Sequence, residues 1–212
     1  MARKEDMKAF YFLAVMGIAL LLCCTHAASG LPSDDPAYGF VSLPLNSSNL
    51  VIQRPYDLPE SSRYSFIDGV HRLWVYATDK PHSPTSNTKP RTEIRIHEYG
   101  NSKAMDSFQM GPQVFGASTQ ATTAAVTVYN GSLTYYRNPI IVPYIYDRWF
   151  RLNVIHDVEA KNVSIFIDGV LKLTVADHGG TSHYFKCGVY TQVDSSDCME
   201  SRWKDIKVLR KM

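Results

Sequence analysis

Val163-Ser164-Ile165-Phe166-Ile167-Asp168-Gly169-Val170-Leu171-Lys172-Leu173-Thr174-Val175 sets two apolar, β-branched runs on either side of one Asp-Gly pair. Asp-Gly supplies the positive φ angles of a tight two-residue turn, so the runs predict consecutive antiparallel strands. Asn130-Gly131 gives the same signal between 124–129 and 133–136. Outward from these hairpins, short runs rich in β-branched and aromatic residues recur at 71–76, 92–99, 150–156, 184–192 and 202–209, bounded by turn residues. No long segment has a helical period. Short strands joined by tight turns predict an all-β fold of two antiparallel sheets packed face to face, a β-sandwich or jelly roll, rather than repeating βαβ units. The Pro-, Ser- and Asn-rich stretch 31–62, with Val51-Ile52 as its clearest apolar pair, reads as a lead-in with an edge strand, and 79–90 as a surface loop.

The 212 residues, 45% hydrophobic and 12% aromatic, suit one domain with a sizeable core. The formal net charge of +2 carries no clustered basic stripe, so neither nucleic acid nor a membrane surface is implied. Residues 1–30 stand apart. Arg3, Lys4 and Lys8 precede an uncharged apolar run over 9–24, and small residues Ala27, Ala28 and Ser29 follow at once. That is the pattern of a cleaved signal peptide. A membrane anchor is the other reading, but the run is shorter than the ~20 residues of a spanning helix. The expected mature chain is a single domain over 31–212, without a membrane anchor. Cleavage removes Cys23 and Cys24 and leaves Cys187 and Cys198, which are expected to form a disulfide in an oxidising compartment. Asn46, Asn130 and Asn162 each open an N-glycosylation sequon.

The stretch Arg91-Thr92-Glu93-Ile94-Arg95-Ile96-His97 alternates strictly, which places Arg91, Glu93, Arg95 and His97 on one sheet face and Ile94 and Ile96 on the other. Guanidinium groups suit a carboxylate ligand, because their planar fork gives two parallel hydrogen bonds and stays charged. Alternation alone fits a solvated outer face equally well. Residues 184–192 alternate in the same way, setting Tyr184, Lys186, Gly188, Tyr190 and Gln192 on one side. Gly188 either leaves room for a ligand or marks a bulge. In Gln113-Val114-Phe115, Gln113 and Phe115 share a side.

Taken together and in this order, the three segments resemble the signature segments of polysaccharide lyase family seven, the alginate lyases. Those read roughly Arg-Ser/Thr-Glu-Leu/Val-Arg, Gln-Ile/Val-His and Tyr-Phe-Lys-Ala-Gly-Val-Tyr-Asn-Gln. The chain is more similar still to the plant citrate-binding branch of this family. That likeness runs through Gln53-Arg54-Pro55-Tyr56-Asp57, Gly69-Val70-His71-Arg72-Leu73-Trp74-Val75 and Tyr146-Asp147-Arg148-Trp149-Phe150-Arg151-Leu152. The resemblance implies a concanavalin-like jelly roll whose concave sheet forms a groove for an acidic polysaccharide. It further implies that Arg91 or Arg95 with Gln113 neutralise a uronate carboxylate, that Tyr190 is the catalytic tyrosine, and that Lys186 and Gln192 line the groove. Two departures stand out. Phe115 occupies the position of the family's catalytic His, and Phe can neither accept nor donate a proton. The stretch 97–112 is also shorter than the family's, which carries a further aromatic-rich strand there, and Gly100-Asn101-Ser102-Lys103 reads as loop; if a strand is missing, the sheet has an opened edge or a gap.

β-Elimination needs donors for the growing negative charge, a base and an acid. Tyr190 could serve as both base and acid if Arg and Lys neighbours lowered its pKa from the usual ~10. His97 and His183 read as ordinary surface or turn residues. The expected function is therefore non-catalytic binding of a carboxylate ligand, citrate or an acidic oligosaccharide. Arg91, Glu93, Arg95, Gln113, Lys186, Tyr190 and Gln192 would form the site of a monomer that needs no metal or cofactor. The alternatives are a lyase acting on alginate or glucuronan, and a structural cell-wall glycoprotein. The signal peptide fits secretion to the cell wall or delivery to a vacuole.

Overall fold

Asp168 and Gly169 adopt φ angles of 52° and 85° and turn one strand directly onto the next, as their sequence demands. Asn130 and Gly131 do the same at 46° and 76°. The computed structural model describes residues 9–11, 34–96, 106–109, 113–115, 122–180, 183–192 and 196–211. The described strands are, in order, β1 (Ala9–Tyr11), β2 (Phe40–Ser42), β3 (Leu50–Gln53), β4 (Tyr64–Ile67), β5 (Val70–Tyr76), β6 (Arg91–Ile96), β7 (Asp106–Gln109) and β8 (Gln113–Phe115). They continue with β9 (Thr122–Tyr129), β10 (Ser132–Tyr135), β11 (Ile140–Val142), β12 (Leu152–Asp157) and β13 (Asn162–Ile167). The last four are β14 (Val170–Ala176), β15 (Tyr184–Tyr190), β16 (Cys198–Lys204) and β17 (Lys207–Lys211). Two 3-10 turns, at Ser47–Asn49 and Glu60–Ser62, are the helical elements among the described residues.

The strands make three sheets: a seven-stranded one ordered β11-β10-β9-β8-β15-β6-β3, a six-stranded one ordered β14-β13-β12-β7-β17-β2, and a four-stranded one ordered β1-β16-β5-β4. One continuous core joins them, with Ile94 and Phe185 from the first, Val154 and Ile165 from the second, and Leu73 and Trp203 from the third. Each fully buried side chain of this size stabilises the fold by about 1.5–3 kcal/mol relative to exposure. The expected β-sandwich architecture is present, and β3 lies at a sheet edge as the Val51-Ile52 pair suggested. Of residues 1–30, Ala9–Tyr11 are described, and they lie parallel to β16.

One conditional reading is resolved and two expectations need correction. The span 97–112 does carry a strand, β7, which sits between β12 and β17 in the middle of its sheet. Its pairing is non-local, so nothing in its short sequence announces it. The run 202–209 is not one strand: Asp205 turns into the left-handed region at φ 54°, and β16 and β17 join different sheets. Finally, Cys187 and Cys198 form no disulfide; both are free. The alternation that turns Lys186 outward turns Cys187 into the core, where burial raises its pKa. The chain then stays extended through Tyr190 rather than turning back towards Cys198. A third hairpin is also present, since Asp68-Gly69, at φ 51° and 76°, repeats the Asp-Gly signal between β4 and β5.

His71 on β5 is buried, with its Nδ1 2.8 Å from the Tyr64 hydroxyl and its ring stacked 4.4 Å from Phe66. Burial pushes its pKa down to about 4 from 6.5. The unfolded chain therefore binds the proton first, and stability is lost as pH falls from 6.5 through about 4. The expected loss is on the order of 3 kcal/mol in chemical denaturation at pH 4 against pH 7. His71→Gln should flatten that dependence.

Candidate functional site

The seven-stranded sheet turns Thr92, Ile94 and Ile96 inward, and Thr92 Oγ1 donates to the Trp74 carbonyl at 2.8 Å. Arg91, Glu93 and Arg95 consequently stand on the opposite face. In register, Arg91 faces Tyr190, Glu93 faces Gly188, and Arg95 faces Lys186. Lys186 is flanked on its other side by Gln113, and Tyr184 by Phe115. The three sequence segments thus lie side by side on adjacent strands. Gln192 follows the end of β15, where its Nε2 donates to the Val128 carbonyl at 2.5 Å. The side chains of Gln113 and Phe115, and all of His97, lie outside the described residues.

This face is not a solvated exterior. Glu93 is 1% exposed, Lys186 6% and Arg91 7%, which removes the bland reading of the alternation. Lys186 Nζ donates to Glu93 Oε1 at 2.6 Å and to Gln53 Oε1 at 2.5 Å. Arg91 Nη1 lies 3.5 Å from the same Glu93 oxygen and donates to the Tyr190 hydroxyl at 2.7 Å. Its guanidinium stacks 4.3 Å from the Tyr190 ring, and that of Arg95 stacks 4.2 Å from the Tyr184 ring. One guanidinium and one ammonium therefore converge on one carboxylate, and the Arg95 guanidinium stands beside them on the Tyr184 ring. Glu93 Oε2 and the Nε atoms of Arg91 and Arg95 are buried with no hydrogen-bond partner among the described residues. Buried polar atoms of this kind are costly unless something completes them.

The ionisation states follow from the same packing. Burial lowers the Lys186 pKa, Glu93 opposes that, and Arg91 and Arg95 add to it. Tyr190 moves the other way. Burial first, then Glu93, raise its pKa well above that of a free phenol, and the opposing effect of Arg91 is smaller. The condition under which Tyr190 could serve as base, a pKa lowered by its cationic neighbours, is therefore not met: burial and Glu93 outweigh Arg91.

Gly188 also acts otherwise than expected. A Cβ there would lie 2.3 Å from the Thr92 carbonyl oxygen and 2.4 Å from Glu93 Cα, so the missing side chain admits strand β6 rather than a ligand. Two contributors were not read from the sequence. Gln53 comes from the end of β3, where it pairs with Glu93. His82 comes from the loop 79–90, and the charges of Arg91, Lys186 and Glu93 act on it. Gln53 opens one of the quoted resemblance blocks, which was the available signal; His82 had none beyond its residue type.

The citrate-binding protein of Hevea brasiliensis is 46% identical over 191 residues, covering 84% of this chain and 80% of that protein. The profile of the family described as Alginate lyase matches residues 109–210. The chain belongs to this alginate-lyase-like family. An alginate lyase from Corynebacterium sp. shares the family fold at a TM-score of 0.51 and 16% identity, covering 81% of this chain and 90% of that one. A marine family-seven alginate lyase from Zobellia galactanivorans does so at 0.52 and 13% identity, covering 72% and 82%. Within the family scaffold, Glu93 holds two cations from adjacent strands. Glu93→Gln should leave them uncompensated and cost about 3 kcal/mol or more in urea unfolding. Gly188→Ala should be destabilising through the strand clash alone, by about 1–3 kcal/mol.

Proposed function

We propose that the chain is a non-catalytic binding protein for a carboxylate ligand, citrate or an acidic oligosaccharide, held on the face formed by Arg91, Arg95 and Lys186. One observation carries this reading. Two buried cationic side chains, Arg91 and Lys186, flank a single carboxylate with Arg95 beside Lys186, so the site keeps a surplus of positive charge that an anionic ligand would neutralise. Glu93 already demonstrates the chemistry: its oxygen sits where cationic donors on two strands converge. The name of the Hevea relative favours citrate, and the polysaccharide lyases of similar fold favour a uronate. Both ligands present carboxylates to the same donors. Glu93 acts in this reading as the internal counter-ion, and Arg95, the least buried of the three cations, as the first ligand contact.

Elimination is the second reading, favoured by the shared fold. Against it stand Phe115 in the place of the family's His, and a Tyr190 held in the phenol form, which can donate a proton but not take one. The leader at 1–30 fits delivery through the secretory pathway to the cell wall or vacuole. There Asn46 and Asn130, both exposed, are suited to glycosylation, and Asn162 at the start of β13 is half-buried.

Arg95→Ala or Arg91→Ala should weaken binding of citrate or an oligouronate by ~1.5–3 kcal/mol in calorimetry, the scale of a hydrogen bond to a charged group. The loss should shrink at high salt. Unchanged binding in both variants would exclude this face as the ligand site. Incubation with alginate and glucuronan should give no ultraviolet absorbance from an unsaturated sugar end. A strong signal would establish the lyase reading instead.

A further inference from the structure

The loop 79–90 does more than connect β5 to β6. Its first residue, Asp79, is clamped by Arg63 through Nη2–Oδ1 at 2.6 Å and Nε–Oδ2 at 2.7 Å, and also accepts from the Tyr76 amide at 2.8 Å. At Pro81 the carbonyl accepts from the Tyr56 amide at 3.0 Å, and at the far end the Pro90 carbonyl accepts from the Thr191 amide at 3.0 Å. The loop is therefore tied to the residues just after β3 and to the end of β15, the two strands that supply Gln53 and Lys186. His82 follows the Pro81 anchor directly. Its Nδ1 is buried and has no hydrogen-bond partner among the described residues.

We propose that His82 is a ligand-contacting residue of the carboxylate site, which takes up a proton as the carboxylate binds. This inference rests on the carboxylate-binding reading above and adds the group that completes the site from the loop side. The groups acting on the imidazole are Arg91 and Glu93 on β6 and Lys186 on β15; Asp79 at the loop base is already engaged by Arg63. Burial first, then Arg91 and Lys186, hold the imidazole neutral below its ordinary range, with Glu93 opposing. An arriving carboxylate brings negative charge against those same cations, which reverses the balance and favours imidazolium. Nδ1–H or Nε2–H of that imidazolium then donates to the ligand.

The direction of the linkage is fixed by this scheme. The pKa of His82 is higher in the bound state than in the free state, so binding tightens as pH falls from the bound-state value to the free-state value and levels off below it. The slope approaches about tenfold per pH unit for one proton.

The test is calorimetry of the full chain with citrate, and separately with an oligoglucuronate, across pH and in buffers of different ionisation enthalpy. Uptake of close to one proton is expected, and His82→Asn should remove it and flatten the pH profile. The difference between the two proteins isolates the imidazole from the ligand's own titration. Imidazole carbon-bound proton signals in the unmodified protein provide the second measurement, in which citrate should raise the His82 titration midpoint. Binding with the same proton uptake in His82→Asn, or an unmoved His82 midpoint, overturns the inference while carboxylate binding stands. Absence of binding to either probe in the unmodified protein overturns both.

Discussion

Glu93 is the point on which the site turns. A carboxylate 1% exposed on a central strand would be expensive if left alone, and Lys186 and Arg91 would each be expensive without it. Their mutual neutralisation is possible only because β6 and β15 are adjacent and in a register that sets Gly188 opposite Glu93. The absent side chain at Gly188 lets the Thr92-Glu93 backbone approach at a distance that no other residue permits. Backbone proximity thus precedes the electrostatics: the glycine admits the strand, the strand delivers the carboxylate, and the carboxylate allows two cations to be buried beside it. Arg95 and Tyr184, one step along the same strand pair, extend the cluster by a stacked contact rather than by a further ion pair.

Such an arrangement serves binding better than turnover. Catalysis needs groups whose interactions strengthen as charge develops, together with a proton acceptor near neutrality. Arg91 donates to the Tyr190 oxygen and stacks on its ring, but burial and Glu93 outweigh that help and keep the phenol protonated. Under the proposed reading, the family's anion recognition is retained while its proton transfer is not. The charge pattern suits a ground-state carboxylate.

Much of this was legible in the sequence because it depends on period and turn chemistry. Alternation through Arg91, Glu93 and Arg95, and through Lys186 and Tyr190, fixed which side chains share a face, and Asn130-Gly131 and Asp168-Gly169 placed two hairpins. What alternation could not convey was burial. A polar strand face reads the same whether water or protein covers it, and here Gln53 on the edge strand reaches Lys186. The strand at Asp106–Gln109 escaped notice for a related reason. It is held by partners distant in sequence, β12 and β17, so its own four residues need no marked β pattern. The disulfide failed as an expectation because cysteine counting ignores side-chain direction: Cys187 belongs to the inward-facing set of the strand that turns Lys186 outward.

The loop contribution matters for how a scaffold of this kind can change function. The sheet fixes Arg91, Glu93, Arg95 and Lys186 through hydrogen-bonded register, and a substitution among them disturbs the ladder's packing as well as its charge. A loop residue such as His82 is held by backbone anchors at Asp79, Pro81 and Pro90, so its side chain can change with little effect on the core. Phe115 is the contrary case: it lies on a strand, in register with Tyr184, and a histidine there would be part of the sheet's own design. A carboxylate site whose titratable imidazole comes from the loop rather than the sheet can alter its pH response without rebuilding the anion-binding face. Under the proposed reading, the charge surplus that would attract the ligand stays with the strands, and the proton that would adjust its affinity stays with the loop.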